Sequence, residues 1–256
     1  MAKIFCVANQ KGGVGKTTTA INLAAGLAQH DQRVLLADLD PQGNATTGAG
    51  IDKSALQESI YEVLLGVSGI KNVRKRSESG NFDVLPANRE LAGAEIEMVG
   101  LDNREKRLKD AFAVVTDDYD FILIDCPPAL SLLTLNGLCS AHGVVIPIQC
   151  EYYALEGLSD LVNTIKKIHA KLNPKLEITG LLRVMFDPRL TLSQQVSEQL
   201  ERHFGNKVFK TVIPRNVRLA EAPSYGMPGV NFDTASRGAQ AYIAFGAEMV
   251  ERIKAL

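Results

Sequence analysis

The segment 9-NQKGGVGKTTTAIN-22 places three glycines and two lysines in the six residues from Lys11 to Lys16. The apolar run 4-IFCVA-8 before it reads as a buried strand, and a helical pattern follows over 17–29. A strand that feeds a glycine-rich turn and then a helix is an arrangement suited to phosphate. Gly12, Gly13 and Gly15 let the backbone turn its N–H groups inward around an anion. The first turn of the helix adds the positive end of its dipole. Lys16 then supplies a point charge to the β- and γ-phosphates, and the Thr17 hydroxyl is placed for Mg²⁺. Lys11 has no part in that scheme, so a second lysine in front of the usual one needs its own explanation.

Outward from this loop the chain alternates. The runs 34-VLLADL-39, 82-FDVLPA-87, 121-FILID-125, 143-GVVIPI-148, 178-ITGLLRVMF-186 and 208-VFKTVI-213 have strand character. Several are apolar at every position, as strands buried on both faces of a parallel sheet are. Helical patterns fall between them over 55–65, 89–115, 130–140, 154–172, 191–204 and 236–255. The alternation predicts an α/β fold: a single domain over 1–256, doubly wound, with a mostly parallel sheet flanked by helices. Ligands in such folds bind at the carboxyl ends of the strands. The polar stretch 71-KNVRKRSESGN-81 is expected to be a mobile surface loop.

Two more segments bring carboxylates to that edge. The strand in 121-FILIDCPP-128 ends in Asp125, the form of an element that holds Mg²⁺ through its water shell. In 35-LLADLDPQGNAT-46, Asp38 and Asp40 stand at i and i+2 and point the same way. One can assist the metal shell while the other orients an attacking water, although Asp-Pro is also a turn-building pair.

The chain is 46% hydrophobic and 22% charged, as a soluble globular protein is. Cys6, Cys126, Cys139 and Cys150 lack any C-x-x-C spacing and read as buried free thiols. No signal peptide and no apolar stretch near ~20 residues is evident, so a cytoplasmic protein is expected. Charge is uneven. Residues 166–218 hold eleven Lys and Arg against four Asp and Glu, while residues 1–165 hold fourteen against twenty-one. A basic third can be a set of solvated helix faces or the footprint of a polyanion.

At this point the residues carry a family likeness. The motif 11-KGGVGKTT-18 resembles the deviant Walker A loop of the ParA/MinD division of P-loop ATPases. The whole chain resembles the short, Soj-type ParA partition ATPases. The likeness runs in order through 36-LADLDPQGNATTG-48, 122-ILIDCPPALSLLTLNGL-138, 149-QCEYYALEGLSDL-161, 186-FDPRLTLSQQV-196 and 213-IPRNVRLAEAPSYG-226. The longer partition ATPases carry an N-terminal helix-turn-helix domain, which is not expected here.

The resemblance implies roles. Lys11 would reach the nucleotide of the opposite subunit in an ATP sandwich homodimer. Gly12, Gly13, Val14, Gly15, Lys16, Thr17 and Thr18 would cradle ATP, and Pro214 and Asn216 would contact adenine. Lys11, Lys16 and Asp40 would be catalytic, Asp40 by positioning the hydrolytic water. Thr17, Asp38 and Asp125 would serve Mg²⁺, and Glu151 would lie at the dimer face. Arg189 and Arg218 would bind double-stranded DNA without sequence preference, although Leu190 stands where the family commonly has a polar residue. Lys166, Lys167, Lys171, Arg183, Arg202, Lys207, Lys210 and Arg215 are candidate auxiliaries.

The implied function is a weak ATPase switch, stimulated by a ParB-type adaptor, that partitions chromosomes or plasmids over the nucleoid. The alternative is a MinD-type membrane-associated cell-division ATPase. Its basic amphipathic terminal helix has no counterpart in 247-AEMVERIKAL-256, so stable membrane binding is not expected. An iron–sulfur reductase would need more cysteine ligands than Cys126, and a biosynthetic ligase would need an acceptor pocket.

Overall fold

The computed structural model describes residues 1–254. Eight strands form one sheet: β1 (Lys3–Val7), β2 (Val34–Asp38), β3 (Lys75–Ser77), β4 (Phe82–Leu85), β5 (Phe121–Asp125), β6 (Gly143–Ile148), β7 (Glu177–Phe186) and β8 (Val208–Pro214). Their order is β3-β4-β2-β5-β1-β6-β7-β8, and among the described residues only β3 with β4 is antiparallel. The seven expected strands are present, each end within two residues of its expected place.

Alternation along each central strand builds two cores. Ile4, Cys6, Leu35, Ala37, Ile122 and Ile124 face one layer, with helices Leu132–Ser140, Ala154–Lys171 and Thr191–Phe204. Phe5, Val7, Val34, Leu36, Phe121 and Leu123 face the other, with helix α1 (Lys16–Gln29) and helix Arg237–Lys254. The latter two helices touch at glycines. A Cβ on Gly26 would stand 2.8 Å from the Tyr242 carbonyl oxygen, and one on Gly246 would stand 2.9 Å from the Gly26 backbone carbon. Tyr242, Phe245 and Met249 are buried there, so the terminal helix packs against the sheet as expected. The expected end of that helix at residue 255 lies outside the described residues.

Three expectations are corrected. The stretch 71–81 is structured: a short helix Ile70–Val73 leads into β3, anchored by buried Ile70, Val73 and Ser77. Its charges suit an edge strand, where they discourage pairing with another chain. The pattern at 89–115 is broken into Leu91–Glu97, a 3₁₀ turn to Gly100 and Arg107–Phe112; Asn103, with φ 52°, marks the interruption. The helix expected from 55 begins at Ile60, because the Ser59 hydroxyl accepts from the Tyr61 N–H and the Glu62 carboxylate accepts from the Ser59 N–H. At the far edge, the Glu248 carboxylate accepts the N–H groups of Lys210 and Thr211 at 2.8 Å each and so covers β8. Short helices Asn44–Gly48, Val217–Glu221 and Gly229–Phe232 were not legible in the sequence pattern. All four cysteines are free and buried, as expected.

Candidate active site

The candidate side chains stand along the carboxyl edge of the sheet. β2 delivers Asp38 and Asp40, β5 delivers Asp125 and β1 delivers the glycine loop. Beyond them β6 leads to Glu151, β7 to Arg189, and β8 to Pro214, Asn216 and Arg218. Asp125 is in register with both Asp38 and Val7. Strand parity turns both aspartates toward the α1 side, the side of Leu36 and Leu123.

Asn9 pins the loop. Its Nδ2 donates to the Pro147 carbonyl at 2.8 Å, and its Oδ1 accepts the Lys11 N–H at 3.0 Å. Gly13 and Gly15 both sit at φ 73°, a backbone state closed to most side chains. Helix α1 starts at Lys16, so its first-turn N–H groups face the loop without intrahelical partners. Lys16 is buried, and its Nζ donates to the Lys11 carbonyl at 3.1 Å. Burial pulls the Lys16 ammonium below its ordinary pKa, opposed by Asp125 and Asp40. Lys11 has a different environment. It is exposed, and its Nζ lies 2.7 Å from Glu151 Oε2. β7 bulges into this region at Met185, φ 49°, whose Cε would stand 3.8 Å from a Cβ on Gly15.

The three aspartates are also unequal. Asp125 is buried, and neither carboxylate oxygen has a hydrogen-bond partner among the described residues. Burial pushes its carboxyl well up and the Asp38 charge adds to this, while the nearby Thr17 hydroxyl and Lys16 ammonium pull it down. An orphaned carboxylate at the mouth of a phosphate loop fits a hydrated Mg²⁺, whose water shell would satisfy it. Among the described residues no three His, Cys, Asp or Glu cluster to hold a metal by themselves. Asp38 is bonded within the chain. Its Oδ2 accepts the Thr46 N–H and hydroxyl at 2.8 Å each, and its Oδ1 accepts the Asp40 N–H at 3.1 Å. Burial pushes the Asp38 carboxyl up to about 6, despite those bonds. Asp40 is half-buried and closes its own turn, Oδ1 accepting the Gln42 N–H at 2.9 Å and its carbonyl accepting the Gly43 N–H at 2.8 Å.

Farther along the edge, Pro214 ends β8, and the Asn216 side chain caps helix Val217–Glu221 by accepting the Leu219 N–H. Arg189 and Arg218 follow two neighbouring strands, since Phe186 pairs with Pro214. Both are exposed and ion-paired within the chain, Arg189 to Asp187 at 2.7 Å and Arg218 to Glu221 at 2.9 Å and Asp233 at 3.3 Å. Arg183 is not an auxiliary. It is buried, with its guanidinium held by Ser197, Glu201 and the Phe209 carbonyl.

A family profile described as an AAA domain matches residues 2–178. The chain is 52% identical over 249 residues to the sporulation initiation inhibitor protein Soj of Bacillus subtilis, covering 97% of this chain and 98% of that protein. It is 50% identical over 252 residues to the chromosome partitioning protein ParA of Myxococcus xanthus, covering 98% and 89%. The chain belongs to the ParA/Soj family of chromosome-partitioning ATPases. Among solved structures it is similar to a cobyrinic acid a,c-diamide synthase of Mycobacterium smegmatis with bound ATP analog and magnesium, with a TM-score of 0.87, 38% identity and coverage of 99% and 96%. The cell-division ATPase MinD of Pyrococcus furiosus, 24% identical with a TM-score of 0.80 over 98% and 99%, shares the fold.

Two residues at this ParA/Soj site were missed. Asn9 and Thr46 both lie inside the motifs quoted from the sequence, yet nothing in their spacing says that one pins the loop and the other folds back onto Asp38. For Glu151 only the family resemblance points to a dimer face; its pairing with Lys11 joins residues 140 apart.

Proposed function

We propose that the protein is an ATP-gated dimer switch: ATP between two copies creates a DNA-binding form, and hydrolysis returns monomers. The observation that carries this is the division of labour between the two loop lysines. Lys16 is buried against its own loop, whereas the Lys11 side chain stands exposed on the edge with its ammonium paired to Glu151. An exposed pair of this kind is worth about 0–1 kcal/mol, so a phosphate group presented by a second copy can draw Lys11 away.

In this reading the N–H groups of Gly12 to Thr18 and the Lys16 ammonium hold the nucleotide phosphates. Thr17 and Asp125 would hold Mg²⁺, which would supply positive charge against the transferred phosphoryl group. Asp40 orients the attacking water, and Lys11 of the facing copy meets charge on the γ-phosphate. Pro214 and Asn216 flank adenine. Arg189 and Arg218, unmasked from their acidic partners, contact DNA phosphates. A ParB-type adaptor stimulates the step, and the protein works in the cytoplasm on the nucleoid.

The name of the solved synthase suggests a second reading, ATP-dependent amide formation on a small acceptor. Two cavities, of about 1090 and 550 Å³, do not favour it. They open at the amino ends of the strands, against Lys3, Glu177 and Val208 in one case and Val34 and Tyr119 in the other, on the edge opposite the loop. Retention on duplex DNA, compared with ATP, with ADP and without nucleotide, tests the switch. ATP-dependent retention is expected; retention equal in all three states would remove the gating.

A further inference from the structure

We propose that Asp38 and Thr46 are positioning residues for hydrolysis, a buried clamp that sets the Asp40 turn, and that Asp38 takes no part in the metal shell. This deepens the ATPase reading above and rests on it.

The clamp is a continuous buried network. Thr46 and Asp38 are both fully buried. The Thr46 hydroxyl donates to Asp38 Oδ2 at 2.8 Å and accepts the Ala87 N–H at 2.9 Å. It thereby links the end of β2 to the segment leaving β4. The Thr46 N–H donates to the same Asp38 oxygen, and the Asp40 N–H donates to the other. Three donors on two oxygens leave Asp38 occupied from within the chain. Asp125, its in-register neighbour, has none among the described residues. Two carboxylates side by side therefore have opposite conditions: one is free to serve a hydrated cation and the other is already spent on the backbone.

What Asp38 holds is the turn that carries Asp40. The turn 40-DPQG-43 leaves β2, closes on itself and enters helix Asn44–Gly48. Its far end packs closely: a Cβ on Gly43, at φ 63°, would stand 2.7 Å from the Ala87 carbonyl oxygen. Lys53 Nζ donates to the Gln42 carbonyl at 2.5 Å from the outside. The direction of the Asp40 carboxylate is thus set at three places: Asp38 at the turn's entry, Thr46 and Ala87 behind it, and Lys53 over it. Displacement of a water-orienting group by about 1 Å can cost a hundredfold in rate, so the clamp acts on turnover without touching nucleotide.

The test compares Thr46→Val, Thr46→Ser and Asp38→Asn with the unsubstituted full chain. ATP turnover is resolved into kcat and KM, and Mg²⁺ is titrated against binding of a fluorescent ATP analogue. Thr46→Val should lower kcat about tenfold or more with KM and the Mg²⁺ half-point within about twofold, and Thr46→Ser should recover most of the loss. Asp38→Asn should lower kcat with the same Mg²⁺ half-point. A shift of that half-point by about tenfold in Asp38→Asn would assign Asp38 to the metal shell and overturn the proposal. Unimpaired kcat in Thr46→Val would overturn it as well. The Thr46→Ser protein keeps the network, so it serves if Thr46→Val does not fold: kcat like that of Asp38→Asn would then count against the hydroxyl's role. Absence of ATP turnover in the unsubstituted chain would instead refute the underlying ATPase reading.

Discussion

Asp40 closes its own turn through the Gln42 N–H with one oxygen, and among the described residues its other oxygen makes no hydrogen bond. That second oxygen is the group assigned to the attacking water. Asp40→Ala should keep ATP binding and lose turnover by about a hundredfold or more, read by phosphate release against nucleotide affinity; normal turnover contradicts the assignment. Asp38 gives a separate prediction in pH. Burial raises its carboxyl to about 6 in the folded state, against about 3.9 unfolded. Folding therefore favours its protonated form. The stabilisation from this group is fully present below the unfolded value and is lost as pH rises through about 6. Unfolding by urea without nucleotide should show the wild type losing on the order of 2–3 kcal/mol relative to Asp38→Asn between pH 4 and 7.5. A difference independent of pH would contradict the shift. Legibility at this scale was partial. Spacing put Asp38 and Asp40 on one side of a strand end, but only the folded chain shows Thr46 saturating the first of them.

At the scale of elements, the six interior strands were readable because burial on both faces leaves near-continuous apolar runs, and the edge strand β8 because buried Val208, Phe209 and Ile213 frame its short polar stretch. β3 was not, because an edge strand of Lys75, Arg76 and Ser77 has the composition of a loop. The break between Glu97 and Arg107 was hidden for a related reason: a 3₁₀ turn and the left-handed Asn103 leave the apolar spacing nearly intact. The contact between α1 and the terminal helix depends on Gly26 and Gly246, where backbones meet too closely for a side chain. Gly246→Leu should therefore destabilise the fold by about 1–3 kcal/mol through overpacking, read as a lowered urea midpoint. An unchanged midpoint would mean the helices can separate at no cost. That contact matters to function because α1 presents Lys16 and Thr17.

For the whole molecule, the basic third of the sequence does not form one feature in space. Arg183 is internal. Lys207 and Lys210 line the cavity at the amino ends of the strands. Arg189 and Arg218, in contrast, follow adjacent strands on the nucleotide edge. If they contact DNA, Arg218→Ala should reduce the slope of log affinity against log salt by about one, equally on unrelated duplexes. An unchanged slope would remove Arg218 from the interface. The dimer itself is the central claim. Gly12 has no neighbour within 4 Å of where its Cβ would stand, so Gly12→Val should fold and bind ATP yet fail to dimerise through a clash with the facing loop. The most direct measurement is size-exclusion chromatography with ATP of Asp40→Ala against Asp40→Ala combined with Lys11→Ala. With hydrolysis blocked, the first should elute as a dimer and the second as a monomer that still binds ATP. Two dimers would contradict the claim that Lys11 serves the neighbouring copy, and two monomers would contradict the ATP gate.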